Sequence, residues 1–562
     1  MFRHKALRHV LVLCALIGSA FGIGPSTAPV AAAPAPLTSS QVSHRLTAEV
    51  MGYLPYWELN DKTVAGLDYD RLTTIAFFSV GWNSAGHLVT TAPGYTALMS
   101  DRATTVINAA HARGVRTIVS FTSFGYDKNA AFFSNSTAMA TFVKEAAALV
   151  VSRGLDGADL DVEQIKSTYF SGYASTAGKL AAKMRQTNAI AYSTVATNAN
   201  TSGAQMAARA LAAGVGRAFL MGYNYRTALA SPVGSIDPLV RAGGGLSLTA
   251  TLDLYAAAGA PLKRVLLGLP FYGRTWQTVD TSMRANRVSG TSGDVFLVRN
   301  LSVLRTEGTI LAIDYDSVES SARLVRRVNG KIYQTYYDST RSYAAKFALV
   351  YSRGLAGIGF WTLGYDGGNH GYWDLVGRTF GPPVINSVLV SPSFTNSRHV
   401  RVYTTWTEHD HPVTLMRLSN GGSGIWSSWR TISSNTWMTL PSSSVPVTRT
   451  VLVQLRDSGG ALSGIRTDRV YYDPIRPKMS KLTLWWSTTA KAWRIRYAAT
   501  DVGSGVRSYR IRIYRNGVWT VAQAERTDLT YTIRLPHSAN FTVAVAAHDR
   551  AWNISAGLYR SS

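Results

Sequence analysis

The stretch that decides the fold is Asp156-Gly157-Ala158-Asp159-Leu160-Asp161-Val162-Glu163. In an extended strand, alternate side chains point to opposite faces, so Asp159, Asp161 and Glu163 share one face. Leu160 and Val162 lie on the other face, where we expect them to pack beneath surrounding helices. The segment therefore predicts a buried strand that carries a ladder of three carboxyl groups.

Similar short apolar runs recur on both sides of this strand, separated by runs rich in Ala, Leu, Lys and Arg. The predicted strands are Val50–Tyr53, Thr74–Val80, Arg116–Phe121, Gly157–Val162, Ala189–Thr197, Ala218–Tyr223, Val265–Leu269 and Gly357–Thr362. The predicted helices are Asp101–Arg113, Thr137–Arg153, Ala177–Thr187, Gln205–Ala213, Thr249–Ala258 and Ser342–Arg353. Eight strands alternating with helices predict an α/β fold, a parallel (β/α)8 TIM barrel, with an open doubly wound sheet as the alternative.

The position of the ladder in such a barrel indicates chemistry. Active sites of these barrels lie at the C-terminal ends of the strands, and the ladder climbs towards that end. Three anions in a poorly solvated interior are costly, so at least one pKa should be raised, and a carboxyl group that keeps its proton can act as a general acid. A solvated acidic loop conflicts with the strict alternation. A metal site lacks a nearby histidine, so we expect neither metal nor cofactor.

The same stretch resembles the signature D-G-x-D-x-D-x-E of the family 18 glycoside hydrolases, which include the chitinases. Gly268-Leu269-Pro270-Phe271-Tyr272-Gly273-Arg274-Thr275-Trp276 and Gly357-Ile358-Gly359-Phe360-Trp361-Thr362-Leu363-Gly364 resemble the family's seventh and eighth strands. Met221-Gly222-Tyr223-Asn224 resembles its sixth-strand motif. The resemblance covers residues 47–380 and implies a catalytic domain that hydrolyses N-acetylglucosamine polymers.

The resemblance implies a role for each residue of the ladder. Glu163 matches the general acid that protonates the glycosidic oxygen and later acts as a base. Asp161 matches the group that orients and stabilises the substrate's N-acetyl group, and Asp159 matches the deeper carboxylate that shares charge or a proton with it. The family uses no enzyme nucleophile, because the acetamido oxygen attacks the anomeric carbon and gives an oxazolinium ion with net retention.

The resemblance also implies residues that bind the sugar. Tyr223 is expected to hydrogen-bond the acetamido group, next to Met221 in the same motif. Trp361 is expected to form the apolar floor beneath the sugar, with a place in the barrel core as the alternative. Tyr53 and Tyr272 are further candidates for the cleft, and packing is the alternative for each.

Two segments depart from the family pattern, while the start of the signature is complete. Asn224 stands where the family has Asp, which removes one charge but keeps an amide acceptor. The third strand reads Ser120-Phe121-Thr122-Ser123, which keeps the family's serine, Ser120, but lacks its two glycines. Asp156 and Gly157 match the structural part of the signature. We therefore expect the family's framework with a reshaped cleft.

Three further units are predicted outside the eight strands and their helices. The spacing in residues 278–338 is too long for one helix, and Asn329-Gly330 between two β-rich runs is a hairpin pattern, so we interpret this range as a small α+β insertion. Beyond residue 380, short strands rich in Thr, Val, Tyr and Trp replace the helical patterns. Two β-sandwich modules, immunoglobulin-like or fibronectin type III-like, are expected at 381–474 and 475–562.

The N-terminus has the pattern of a secretory signal peptide, with basic residues, an apolar run and then small residues. We assign residues 1–33 to the signal peptide and 34–46 to a linker, and expect a secreted protein; a retained anchor is the alternative. No later run reaches about 18 apolar residues, so no stable membrane span is expected. Cys14 is the single cysteine and lies in the apolar run. A chain with one cysteine in that position has neither a disulfide framework nor a cysteine nucleophile.

The chain of 562 residues has a formal charge of +25, from 57 Lys and Arg against 32 Asp and Glu. Such an excess favours an anionic partner. Residues 381–562 hold 22 of these basic residues, nine of the acidic ones and nine of the 14 Trp. The basic residues are scattered along strands rather than clustered on one helix, so nucleic acid is not expected. The Trp residues are expected either to stack on sugars or to form module cores.

The leading hypothesis is a monomeric, secreted hydrolase of β-1,4-linked N-acetylglucosamine polymers, with chitin or chitooligosaccharides as substrate. A peptidoglycan N-acetylglucosaminidase associated with the cell wall is the main alternative. It is supported by Gly52-Tyr53-Leu54-Pro55-Tyr56-Trp57, which resembles spore-cortex-lytic members of the family, and by the basic charge. A non-catalytic chitin-binding lectin is a third hypothesis, but family lectins typically lose the terminal glutamate, which is present here as Glu163.

Overall fold

The computed structural model describes residues 34–42, 46–407, 411–421 and 425–562, so the predicted signal peptide lies outside the described residues. Eight strands form a closed barrel in which neighbours pair in parallel and the last strand pairs with the first. The barrel strands are Glu49–Pro55, Thr74–Gly81, Arg116–Phe124, Gly157–Glu163, Tyr192–Asn198, Arg217–Met221, Val265–Pro270 and Gly357–Trp361. The predicted (β/α)8 barrel is confirmed.

Helices alternate with these strands and cover the barrel. The α-helices of this part are Asp61–Ala65, Pro93–Leu98, Asp101–Ala112, Tyr126–Phe133, Ser136–Ser152, Phe170–Thr187, Thr201–Ala212, Leu248–Ala257, Thr340–Ser352 and His370–Phe380, with 3-10 turns at Tyr56–Glu58, Ser167–Tyr169 and Leu262–Arg264. Leu160 and Val162 are buried in the core between strands and helices, on the face that the alternation predicts. None of the helices in the described ranges has the length and apolarity needed to cross a membrane.

Two of the differences from the predicted elements have identifiable physical causes, one local and one in the packing. The fifth strand begins at Tyr192 rather than Ala189, because a turn precedes it in which the Ala191 backbone N–H donates to the Asn188 carbonyl at 2.8 Å. The helix His370–Phe380 was not predicted, and its two glycines weaken the helical pattern of its sequence. Its apolar face is nevertheless buried against the barrel, which shows that packing decides this helix.

An antiparallel sheet of five strands separates the seventh and eighth barrel strands. Its strands are Tyr272–Thr278, Asp294–Leu297, Thr309–Asp316, Ser321–Val328 and Lys331–Tyr337, with a 3-10 turn at Val298–Asn300 and a short helix at Leu301–Leu304. The sheet therefore starts before the predicted boundary at Thr278, because its first strand follows the seventh barrel strand almost directly. Asn329 and Gly330, with φ of 49° and 76°, form the predicted hairpin turn.

Buried ion pairs fasten this sheet to the barrel. Lys346 Nζ lies 2.5 Å from an oxygen of Asp237 and 2.5 Å from an oxygen of Asp338. Arg226 and Glu319 form a bidentate ion pair, with Nη1–Oε2 at 2.6 Å and Nη2–Oε1 at 2.5 Å. All five side chains are buried. The inserted sheet is therefore held in a defined position beside the loop that follows the sixth barrel strand.

Two all-β modules follow the barrel. The first contains Val384–Ser391, Phe394–Thr395, His399–Thr407, Val413–Asn420, Arg430–Thr431, Asn435–Thr439, Val447–Asp457 and Arg466–Tyr472, in sheets of three and five strands. The second contains Lys478–Ser487, Ala492–Thr500, Val506–Arg515, Val518–Arg526, Thr530–Ile533, Thr542–Asp549 and Leu558–Ser561, in sheets of three and four strands. Each pair of sheets encloses one apolar core, as in a β-sandwich.

Asp156 anchors the N-terminal end of the fourth strand, at the opposite end of the barrel from Glu163. Its carboxylate accepts hydrogen bonds from the backbone N–H groups of Leu37 and Thr117, both at 2.7 Å, and lies 2.8 Å from Nε2 of His111. Leu37 is only 3% exposed. Residues 34–42, assigned from sequence to a linker, therefore include a segment that packs against the barrel floor.

Candidate active site

The three carboxyl groups of the fourth strand run from the barrel interior to its open mouth. Asp159 is fully buried, Asp161 is 4% exposed and Glu163 is half-buried. This gradient follows from the strand alone, because alternate residues on one face lie successively closer to the C-terminal end. Glu163 is therefore the carboxyl group of the ladder that a substrate in the mouth reaches first.

Asp159 is surrounded by hydrogen-bond donors from three other strands. Its carboxylate accepts from Ser120 Oγ at 2.8 Å, from Tyr53 OH at 3.1 Å and from Thr194 Oγ1 at 2.5 Å. Burial raises the pKa of Asp159, and these hydrogen bonds oppose the rise. The protein thus supplies the solvation that a charge on Asp159 requires.

Asp161 has a different environment. No hydrogen-bond partner within the described part of the chain reaches its Oδ1, although this oxygen is buried. Burial raises the pKa of Asp161 well above its usual range, and the charges of Glu163 and Asp159 raise it further. Asp161 also lines a cavity over the ladder, so a polar group of a ligand bound there can supply the missing partner.

The backbone carbonyl of Glu163 accepts a hydrogen bond from a buried side chain. Asn129, fully buried, donates from Nδ2 to the Glu163 carbonyl at 2.7 Å and accepts from Ser123 Oγ at 2.7 Å. Burial also raises the pKa of the Glu163 carboxyl. Asn129 was not among the predicted site residues, and its helix carries no motif that points to it, because the contact joins elements that only the fold brings together.

A cavity of about 290 Å³ lies over the ladder. We call it the aromatic lobe, and its walls are Tyr53, Phe78, Phe124, Asp161, Glu163, Ala196, Met221, Tyr223, Asn224, Tyr272 and Trp361. The Trp361 ring packs edge-on against Phe78, with ring centres 4.8 Å apart. Every residue predicted to bind the sugar therefore lies around one cavity.

A second cavity of about 340 Å³ adjoins the first. We call it the polar lobe, and its walls are Glu163, Asn198, Ala199, Asn200, Met221, Tyr223, Asn224, Tyr225, Arg241 and Leu246. The two lobes share Glu163 together with the sixth-strand motif. The acid candidate Glu163 therefore lies where the two parts of the cleft meet.

The tyrosines of the aromatic lobe are hydrogen-bond donors. Burial raises the pKa of Tyr223 well above its usual range, with further increases from Tyr272 and Asp161, so its phenol stays protonated. Tyr272 OH donates to Asn224 Oδ1 at 2.9 Å. Asn224, with φ of 62°, thus keeps the acceptor function of the family's Asp without its charge.

The side chains that replace the family's third-strand glycines have partners of their own. Thr122 pairs in register with Asp161 on the neighbouring strand, and its Oγ1 lies 3.0 Å from Ser79 Oγ. Ser123 is buried and donates to Asn129. The extra atoms therefore form a layer of hydrogen bonds beside the ladder.

Comparison with known proteins agrees with this geometry. The sequence profile of "Glycosyl hydrolases family 18" matches residues 49–366. The chain is 26% identical over 271 residues to "Probable chitinase 2" of Drosophila melanogaster, covering 44% of this chain and 56% of that protein. It is 24% identical over 299 residues to "Probable endochitinase" of Caenorhabditis elegans, covering 49% and 47%. The chain spans about half the length of the curated relatives it matches.

Solved structures with the same fold include two of a GH18 chitinase from Cycas revoluta. A mutant form of that enzyme in complex with (GlcNAc)4 superposes with a TM-score of 0.51 at 18% identity, over 58% of this chain and 98% of that one. The complex with (GlcNAc)3 gives 0.50 at 19% identity over the same shares. Since the profile match spans more than half of the chain and the eight barrel strands, this chain belongs to the glycosyl hydrolases family 18.

Proposed function

We propose that this protein is a secreted glycosidase that cleaves β-1,4-linked N-acetylglucosamine polymers, chitin or chitooligosaccharides. The observation that carries the proposal is Oδ1 of Asp161, which is buried beneath the aromatic lobe and has no hydrogen-bond partner in the described part of the chain. The similarity to proteins described as chitinases supports the same substrate class. The signal-like sequence of residues 1–33 supports secretion.

In the proposed reaction, the sugar whose bond breaks rests on Trp361 in the aromatic lobe, and the leaving sugar occupies the polar lobe. Glu163 donates its proton to the glycosidic oxygen. The substrate's acetamido oxygen attacks the anomeric carbon as the bond to the leaving sugar breaks, which gives an oxazolinium ion. Attack by a group already attached to the substrate has a high effective concentration, so no enzyme nucleophile is needed.

The same residues then act on the intermediate. The ladder offers negative charge next to the positive oxazolinium ion, and Tyr223 offers a hydroxyl donor to the acetamido group. Glu163, now a carboxylate, takes a proton from water while the water oxygen attacks the anomeric carbon. The bond from that carbon to the acetamido oxygen breaks in the same step, which restores the N-acetyl group. Two successive inversions at that carbon give net retention of configuration.

Product release from chitooligosaccharides by the wild type and Glu163→Gln tests this proposal. The amide keeps the size of the side chain but cannot donate the proton, so the rate should fall by about 10²–10⁴-fold. The first product of the wild type should be the β-anomer, measured by proton NMR. An unchanged rate in Glu163→Gln would contradict the role of this residue, and binding without hydrolysis by the wild type would indicate a lectin.

A peptidoglycan N-acetylglucosaminidase is the second candidate function. The excess charge of +25 favours an anionic polymer over chitin, which is nearly neutral. Purified peptidoglycan assayed beside chitooligosaccharides separates the two functions. Release from peptidoglycan alone would support cell-wall lysis, and release from chitooligosaccharides alone would support chitin as the substrate.

A further inference from the structure

We propose that Arg241 is a specificity residue of the polar lobe and binds a carboxylate on the leaving sugar, the 3-O-lactyl group of an N-acetylmuramoyl unit. This inference rests on the second candidate function, the peptidoglycan N-acetylglucosaminidase, and takes Glu163 as the proton donor between the two lobes. It assigns the polar lobe an anionic sugar and the aromatic lobe an N-acetylglucosamine.

Arg241 is the one positively charged residue among the walls of the two lobes, all of which lie in the described part of the chain. The polar lobe otherwise offers amides, such as those of Asn198 and Asn200, and the aromatic lobe offers rings and carboxyl groups. A leaving sugar in the polar lobe therefore lies in a cavity that has Glu163 and one cationic side chain among its walls. A neutral sugar gives that cation no partner of opposite charge.

Most N–H donors of the Arg241 guanidinium have no hydrogen-bond partner in the described part of the chain. Within the described ranges, its single hydrogen bond runs from Nη1 to the Tyr225 carbonyl at 3.2 Å, and no carboxylate forms an ion pair with it. A guanidinium has five N–H donors, and the residue is half-buried. A carboxylate is the ligand that matches such a group best, because two parallel N–H donors meet its two oxygens.

The backbone that carries Arg241 is fixed by the inserted sheet. Glu319, fully buried and paired with Arg226, accepts from the Ala242 N–H through Oε1 at 3.1 Å. The Glu319 carbonyl accepts from the Leu239 N–H at 3.0 Å. The chain on both sides of Arg241 is thus ordered before any ligand arrives, which reduces the entropy lost on binding.

Comparing the affinities of two variants for a charged and an uncharged ligand tests the contact between Arg241 and the lactyl carboxylate without relying on turnover. The full chain carries Glu163→Gln, alone or with Arg241→Met. The probes are a peptide-free tetrasaccharide of alternating N-acetylglucosamine and N-acetylmuramic acid, with free lactyl carboxylates, and the methyl ester of the same tetrasaccharide. Titration calorimetry gives the four affinities. Arg241→Met should weaken binding of the acid about tenfold more than binding of the ester, as expected for a hydrogen-bonded charge.

Arg185 provides the matched control. It also donates one hydrogen bond to a carbonyl, that of Gly214 at 3.3 Å, and it lies in the helix Phe170–Thr187, outside the walls of both lobes. Arg185→Met removes the same charge outside the cleft, so it should leave the ratio of acid to ester affinity unchanged within about twofold. Arg241→Lys should retain part of the preference for the acid, because it keeps the charge without the fork of donors.

The outcomes separate this inference from the proposed function. A difference between acid and ester below about twofold, the range within which independent changes add, would overturn the role of Arg241. Absence of binding of both tetrasaccharides would also overturn it. Hydrolysis of chitooligosaccharides and of purified peptidoglycan by the chain with intact Glu163 is a separate assay. Failure on both polymers contradicts the proposed reaction and leaves the binding result readable.

Discussion

At the scale of single residues, the ladder sets the pH dependence of the proposed reaction. Burial raises the pKa of Glu163, so this carboxyl keeps its proton above the usual range of glutamate, and the acid is lost only as the pH rises through the raised value. At acidic pH a further proton enters the ladder and removes the charge that stabilises the oxazolinium ion. We expect a bell-shaped profile of kcat/KM on chitotetraose. An alkaline limb at the pKa of free glutamate would contradict this assignment.

Asn224 allows a test of the same electrostatics. Asn224→Asp restores the charge of the family motif beside the shared wall of both lobes. A negative charge there makes ionisation of Glu163 harder, so the alkaline limb should move to higher pH by about one unit. Asn224→Ser is the control, because it shortens the side chain without adding charge and should leave the limb in place. Equal shifts in both variants would show that charge is not the cause.

At the scale of elements, Gly157 shows why the signature requires a glycine at the base of the strand. A Cβ at this position would lie 1.8 Å from the Tyr192 carbonyl oxygen of the fifth strand. Gly157→Ala should therefore destabilise the barrel by about 1–3 kcal/mol, through overpacking between two strands. Gly81→Ala on the second strand is the control, because its Cβ would meet the Thr122 carbonyl at an ordinary 3.7 Å. Calorimetric melting of both variants checks the difference, which equal melting temperatures would contradict.

The elements also show how far local pattern reaches. All eight barrel strands and six of the helices follow from short apolar runs that alternate with runs rich in Ala, Leu, Lys and Arg, since this pattern is a property of the local sequence. The hairpin at Asn329-Gly330 follows from turn chemistry in the same way. The helix His370–Phe380 does not, because its stability depends on burial against the barrel rather than on helix propensity.

At the scale of the whole molecule, Lys346 ties the loop after the sixth strand and the inserted sheet to the helix Thr340–Ser352. Lys346→Met leaves Asp237 and Asp338 buried together without a cation, so unfolding should become easier by about 3–5 kcal/mol. This loss of unfolding free energy should be smaller at acidic pH. Burial and the charge of Asp237 raise the pKa of Asp338, so its carboxyl takes up a proton as the pH falls, and the repulsion between Asp237 and Asp338 disappears.

Urea unfolding at neutral and acidic pH measures this effect. Lys183→Met, on an exposed side chain, is the control and should change stability by less than about 0.5 kcal/mol. Adding Asp338→Asn to Lys346→Met should recover part of the loss, because it removes one of the two buried charges. A pH-independent loss, or no recovery in the double variant, would contradict the electrostatic cause.

The sequence by itself determined the eight strands, their alternation with helices, the ladder and the order of its carboxyl groups, because each is a pattern along the chain. Closure into a barrel rather than an open sheet was decided by the pairing of the last strand with the first. Only the tertiary structure decided what surrounds the carboxyl groups. Asp159 has its donors on three other strands, and Asp161 has an oxygen without a partner in the described ranges. Arg241 and Glu163 line the same cavity. These relations join residues far apart in the chain, and barrel closure, not local pattern, sets the distances between them.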